Sequence, residues 1–415
     1  MVTIFRVVMI SLSLMLVACQ NQSSSPANAP ANFTVTAGEN RVVLSWEAVP
    51  GETYWAYYKV GATVTTSDHD YISRGVTSPA IITGNGLVNG AEYAFIIAAS
   101  NKHSKIGPAS SVVTATPRLI DSTVQWGVGT SLTGNALKGV ASNSKYFVAV
   151  GDAASVFSAP YSYTAAGGVT AWSQATTLPV SAATDFSAVI YDGSQFVLLG
   201  RDGSIVITSD QINWIARTAI AGAPLMNGLA YASGIGYVAV GAGGAIYRNT
   251  TGGITADWAA VSSGVTQDLY GVSYVNGRFV AVGAGGTLLT STDGLTWAAP
   301  ASNTSNSLRR VAFGLTSTGN TIYVAVGDAG TIVSSSDAAT WISQTIPTTE
   351  SFYSICFGPG QQFIAVGTTG TIASSTTGAD GSWSVSNATS LDLYSIVPGN
   401  VFIAVGAAGT NVSAK

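Results

Sequence analysis

Seven times along the chain a stretch opens on an aromatic residue, continues through short aliphatic side chains and ends at glycine. The stretches run from Phe147 to Gly151, Phe196 to Gly200, Tyr237 to Gly241, Phe279 to Gly283, Tyr323 to Gly327, Phe363 to Gly367 and Phe402 to Gly406. Successive glycines lie 49, 41, 42, 44, 40 and 39 residues apart. Self-similarity at such a period marks a propeller or solenoid made from one repeated supersecondary unit. Each repeat reads as four short strands, typified by Leu269 to Tyr274, Phe279 to Gly283, Thr287 to Leu289 and a last strand centred on Trp297. The tryptophans Trp126, Trp172, Trp214, Trp258, Trp297, Trp341 and Trp383 set the phase independently. From each to the next first-strand anchor (Leu137, Phe186, Leu225, Leu269, Leu308, Phe352, Leu393) the gaps are 11, 14, 11, 11, 11, 11 and 10 residues. A crossing of nearly fixed length predicts a regular ring. The last repeat stops at Lys415 without a tryptophan strand, while residues 123–126 form a fourth strand with no three before it. The ring is therefore expected to close by pairing them, giving seven blades and only short protected edges.

Upstream of the repeats, Phe33 to Val35, Val42 to Trp46, Tyr54 to Tyr58, Ala80 to Ile82, Tyr93 to Ala99 and Val112 to Thr114 are short strand-like runs between Gly, Pro and Asn. That is the pattern of a β-sandwich. The chain as a whole is expected to be all-β, with a sandwich over 30–117 followed by a seven-bladed propeller over 118–415, closed by an N-terminal strand.

Composition adjusts this picture at the N-terminus. Hydrophobic residues make up 47% and charged ones 9%, and mean hydropathy is +0.36, yet the one candidate membrane run, Val7 to Leu16, is too short to span a bilayer. A membrane β-barrel needs spanning strands of about 9–11 residues, longer than the runs here. Arg6, the apolar run and Leu16-Val17-Ala18-Cys19 together resemble the bacterial lipoprotein signal. The resemblance implies removal of residues 1–18 and lipid attachment at Cys19. Gln20, with no aspartate there, implies by the same resemblance the outer membrane of the bacterial cell envelope. Residues 19–29, rich in Ser, Asn, Pro and Ala, suit a flexible tether. Net charge is -4 with no basic run, which disfavours a nucleic-acid partner. With Cys19 carrying lipid, Cys356 has no disulfide partner in the mature chain, and the equivalent repeat positions carry Ala141, Ile190, Ala230, Ser273, Ala312 and Val397, so it is expected to pack in the core.

Within 30–117, Leu44-Ser45-Trp46-Glu47, Leu87 followed by Tyr93, Ala99-Ser100-Asn101 and Gly107 to Ser110 resemble the fibronectin type III family. The resemblance makes Trp46 the core tryptophan and Tyr93 the tyrosine-corner residue. Asp68-His69-Asp70 reads as a solvated turn, because three adjacent residues rarely converge on one metal ion.

Three repeats place Ser or Thr two residues before Asp, ahead of the tryptophan: Asp210 before Trp214, Asp293 before Trp297 and Asp337 before Trp341. These resemble the Asp-box hairpins of sialidase-like propellers, one residue shorter than that family's usual step, and imply a fold-stabilising aspartate. The whole repeat, with Val-Ala-Val-Gly and Gly-x-x-Gly-x-Ile, is similar to the photosystem II stability/assembly factor propellers and their bacterial relatives. It implies a non-catalytic assembly or binding role, with no cofactor.

The candidate site follows from repeat phase. The residues after the anchors are Lys138, Ser187, Met226, Tyr270, Arg309, Tyr353 and Tyr394. Lys138, Tyr270, Arg309, Tyr353 and Tyr394 are expected to form a contiguous arc near the central channel, facing a protein or glycan partner, since tyrosine and arginine dominate interface hot spots. The competing reading has them pack between blades or fill the channel. Asp185, Asp268, Glu350 and Asp392 precede four anchors, either as carboxylates on the same rim or as turn residues bonded to their own backbone. A sialidase-like enzyme needs an arginine cluster, a tyrosine nucleophile beside a glutamate, and an acid/base aspartate. Arginines and tyrosines are present, but Glu350 is the one glutamate of the repeat region. A purely structural envelope component is the third possibility.

Overall fold

The computed structural model describes residues 25–38, 41–83, 87, 91–101, 105–116, 126–143, 145–160, 171–249, 258–315, 320–358, 362–399 and 402–414. Cys19 and the signal-like segment lie outside the described residues, as do residues 123–125. The chain divides into two compact units, Met1–Ser122 and Thr123–Lys415. The described residues form strands and short 3₁₀ turns, and among them no helix is long and apolar enough to cross a membrane.

The first unit has two antiparallel sheets. One holds Thr34–Gly38, Arg41–Ser45 and Ala80–Thr83; the other holds Tyr71–Val76, Thr53–Val60 and Tyr93–Ser100, with Ile106–Ala109 and Val113–Ala115 sharing its far edge. They meet across a core that includes Val42, Leu44, Trp46, Tyr54, Tyr58, Ile82, Tyr93, Phe95 and Ile97. The strand Tyr93–Ser100 is buried along its whole length. Its outward residues Ala94, Ile96 and Ala98 pack with Tyr57 and Val64, so burial on both faces replaces the usual in-out alternation. In the Asp68–Asp70 loop, Asp68 pairs with Lys59 at 2.7 Å, Asp70 accepts from the Val60 N–H, and the His69 ring lies edge-on to Tyr57. Among the described residues no group of three His, Cys, Asp or Glu is placed to hold a metal.

The second unit is a β-propeller. Its described residues form seven antiparallel sheets, six from consecutive strands; the seventh adds Trp126–Val128 to Leu393–Val397, Phe402–Gly406 and Asn411–Ala414. In that last sheet Trp126 stands opposite Ala414, Gly127 opposite Ser413 and Val128 opposite Val412. Apolar clusters bridge neighbouring sheets and also join the seventh to the first, where Leu137, Phe147 and Ala149 pack with Ile403 and Val405. The Ser395 hydroxyl accepts the Val140 N–H across the same junction. Cys356 is buried in the cluster shared by the sixth and seventh sheets.

The two periodicities of the sequence meet inside each sheet. The aromatic that opens a second strand touches that repeat's tryptophan, with ring centroids at 6.3–6.5 Å for Tyr237–Trp258, Phe279–Trp297, Tyr323–Trp341, Phe363–Trp383 and Phe402–Trp126. The fourth sheet departs from the expected four strands. It has three, and the Trp297 segment is tied by a single bridge between Thr290 and Ala298. The closing glycine is a matter of space. At Gly327 an added Cβ would lie 1.9 Å from the Ser307 carbonyl oxygen, and at Gly283 it would lie 2.1 Å from that of Asp268. Gly283 itself is extended, at φ -164, so the first strand's close approach, rather than backbone conformation, demands glycine there.

Candidate functional site

In every sheet of the propeller the first-strand anchor stands opposite the closing glycine, and the register then slips by one residue. The pairs are Leu137–Gly151, Phe186–Gly200, Met226–Gly241, Leu269–Gly283, Leu308–Gly327, Phe352–Gly367 and Leu393–Gly406. A bulge leaves its extra residue outside the ladder and re-aims its side chain. The extra residues are Lys138, Ser187, Asn227, Tyr270, Arg309, Tyr353 and Tyr394. In the third repeat this corrects the sequence phase: Met226 is the buried anchor and Leu225 is 54% exposed, so Asn227 takes the place expected for Met226. Two apolar residues in a row, with an 11-residue crossing favouring the first, concealed the shift.

These bulge residues line one cavity of about 340 Å3, together with Arg201 and Arg310. The arc is stitched by direct contacts. The Arg309 guanidinium lies 4.2 Å from the centre of the Tyr270 ring, the Tyr353 and Tyr394 rings are 5.2 Å apart, and Lys138 Nζ sits 3.9 Å above the Tyr394 ring. That last contact joins the first sheet to the seventh, so ring closure completes the arc.

A second ring position faces the first. The residue after each closing glycine is Asp152, Arg201, Ala242, Ala284, Asp328, Thr368 or Ala407, and where the bulge residue is a cation its partner is an acid. Arg309 makes a bidentate pair with Asp328, Nε to Oδ1 at 2.9 Å and Nη2 to Oδ2 at 3.0 Å, and Lys138 Nζ is 4.0 Å from Asp152. Burial opposes the charge on Arg309, but the Asp328 carboxylate outweighs it and raises the guanidinium above its ordinary value. The Tyr353 and Tyr394 phenols are pushed up as well, chiefly by burial and then by the Asp392 charge. The second sheet reverses the pattern, with Arg201 facing Ser187.

Three of the four carboxylates before the anchors are held by the preceding sheet. Asp185 accepts the Ala153 N–H at 3.0 Å, Asp268 that of Gly243 at 2.7 Å and Asp392 that of Thr369 at 2.9 Å; Glu350 accepts the Thr368 hydroxyl. For the three aspartates the turn belongs to the preceding repeat, so each of their bonds latches one sheet to the next, whereas Glu350 bonds within its own sheet.

The Asp-box aspartates lie in hairpins away from the cavity. In each, Oδ1 accepts the backbone N–H groups two and three residues on: Ile212 and Asn213 for Asp210, Leu295 and Thr296 for Asp293, Ala339 and Thr340 for Asp337, all at 2.8–2.9 Å. The preceding hydroxyls of Thr208, Ser291 and Ser335 accept the N–H of a left-handed residue, Gln211, Gly294 or Ala338. A fourth hairpin of this form, unmarked by an aspartate, has Ser375 bonded to the Gly378 N–H and Thr377 in the acidic position.

Sequence reasoning did not reach Asn227, Arg201 or Arg310. Arg201 was legible once the residue after each closing glycine is aligned, and Arg310 once the second residue after each anchor is: Gly139, Ala188, Gly228, Gly271, Arg310, Ser354 and Ser395. Arginine stands alone there among small side chains.

No protein-family model and no curated protein matches the chain. Among solved structures it is similar to one titled "YCF48 bound to D1 peptide", with a TM-score of 0.56 at 17% identity over 71% of this chain and 98% of that one. It is also similar to YCF48 from Cyanidioschyzon merolae, with a TM-score of 0.53 at 18% identity over 70% of this chain and 98% of that one. At such identities the likeness is one of fold.

Proposed function

We propose that this chain is a non-catalytic binding or assembly protein whose propeller docks a protein partner at the cavity mouth. The carrying observation is the cavity wall itself, in which aromatic and cationic side chains from successive sheets are set by the same bulge on a rigid ring. Rigid amphipathic residues around a concavity suit an interface centre. A similar fold titled as peptide-bound supports the choice of a protein occupant. Stacking of a glycan is disfavoured because Lys138 and Arg309 already cover faces of Tyr394 and Tyr270. Glycoside cleavage is disfavoured because the phenols of Tyr353 and Tyr394 are raised where a nucleophile needs them lowered, while Glu350 is engaged with Thr368.

In this reading the seven sheets are seven blades and the two-sheet unit is a fibronectin type III spacer built around Trp46 and Tyr93. Residues 19–29 tether both to lipid on Cys19 in a bacterial outer membrane. A mass spectrum of the mature N-terminus tests the anchor: diacylglyceryl-Cys19 is expected, and an unmodified cysteine contradicts it. Affinity capture from detergent-solubilised envelopes tests the docking face. Wild type and the variant Ile342→Ala, altered on the exposed fourth strand Ile342–Gln344 of its sheet, should retain the same partner, and Tyr353→Ala should lose it at an unchanged melting temperature. Equal retention by all three refutes the assignment.

A further inference from the structure

Among the described residues, only two of the four cations lining the cavity have an acid as a direct partner. Lys138 and Arg309 have acids of their own in Asp152 and Asp328. Arg201 and Arg310 line the same cavity, and among the described residues neither guanidinium has a hydrogen-bond or ion-pair partner. Arg310 also lines a further cavity of about 270 Å3 along the first strands of the sheets, with Val140, Val189, Val272, Ser354 and Ser395. It therefore stands where the two spaces meet. At the six equivalent positions the residue is buried and its side chain is no larger than a hydroxymethyl group; Arg310 alone is long and charged, partly exposed as a residue but with its guanidinium buried. Neighbouring Gly271 makes room, since a Cβ there would meet the Arg309 carbonyl oxygen at 2.4 Å and Arg310 Cδ at 3.5 Å.

We propose that this junction is an oxyanion site in which Arg310 and Arg201 bind a phosphate or carboxylate group. A guanidinium presents a planar fork of donors matched to the two oxygens of such groups, and a cation removed from water without a counter-charge is relieved by gaining one. Burial alone pushes the Arg310 guanidinium down from its ordinary value, with no acid opposing the shift. The 340 Å3 cavity exceeds the ~30 Å3 share of one water molecule about tenfold, room enough for a hydrated phosphate. The site uses the cavity of the docking face but does not depend on a protein occupying it.

The mature full-length protein, titrated with inorganic phosphate and separately with succinate in low-salt Tris-chloride, tests the site by calorimetry and by thermal shift. Saturable binding of at least one anion is expected, and which one saturates tells phosphate from carboxylate. Arg310→Gln should weaken binding about tenfold or more and Arg201→Gln should weaken it less. Asp328→Asn should strengthen it by releasing Arg309, an increase that loss of structure does not produce. Lys145→Gln removes one exposed positive charge elsewhere and should leave affinity unchanged. The site is refuted if neither anion saturates wild type, if Arg310→Gln binds as wild type does, or if Lys145→Gln loses as much as Arg310→Gln. Should Arg310→Gln fail to fold, the opposite shifts of Arg201→Gln and Asp328→Asn decide.

Discussion

Single residues in this propeller are chosen by how closely neighbouring backbones approach. The clearest case is Gly327, where any side chain meets the Ser307 carbonyl oxygen. Gly327→Ala should therefore cost about 1–3 kcal/mol by overpacking, measured by denaturant unfolding, although alanine tolerates the extended backbone. The same scale shows where sequence reading succeeds. The bulge residues recur one step after an apolar anchor, so Lys138, Tyr270, Arg309, Tyr353 and Tyr394 were identifiable by counting. Asn227 was not, because Leu225 and Met226 are equally apolar and only register distinguishes them. Arg310 escaped for a different reason: its ring of small residues has no hydrophobic signal to align.

At the scale of elements, the hairpins before Trp214, Trp297, Trp341 and Trp383 are held by side chains standing in for backbone acceptors. Backbone N–H groups of Asn213 and Ile212, with the Asn213 amide, hold the Asp210 carboxyl at about 2; those of Thr340 and Ala339 hold Asp337 at about 2. Both values lie below the ~3.9 of an unfolded aspartate. The stabilisation is thus fully present above that value and is lost as pH falls toward 2. Because both carboxylates face solvent, the effect is modest and screened. Melting temperature should drop between about pH 5 and pH 2, and Asp210→Ala with Asp337→Ala should be less stable at pH 7 yet show a shallower acid slope. Equal slopes would contradict the role. Three of these hairpins were legible from the Ser/Thr-x-Asp pattern; the one at Ser375 was not, because Thr377 supplies the polar group. The weak fourth strand at Trp297 was equally hidden, since a strand's extent depends on pairing and not on its aromatic residue alone.

At the scale of the whole molecule, the ends of the repeat region must meet. The strand Trp126–Val128 covers the edge of Asn411–Ala414, and an uncovered edge is a template for association. A chain beginning at residue 129 should consequently self-associate, seen as a concentration-dependent mass by light scattering, while the same chain with 126–128 restored remains monomeric. The closure was foreseeable because one tryptophan strand precedes the repeats and the last repeat lacks one. The charge balance was not: it needs the two facing positions of each sheet, which only register brings together.

The proposed docking face is one mouth of the ring, where the bulge residues line the cavity. The most direct test places a benzophenone amino acid at Tyr353, in the cavity wall, or at Ile342, 62% exposed on the fourth strand of its sheet, and irradiates cells that make the protein. A discrete adduct of one mass from position 353, with none from 342, is the predicted result. No adduct at 353, or the same adducts at both positions, would contradict the account.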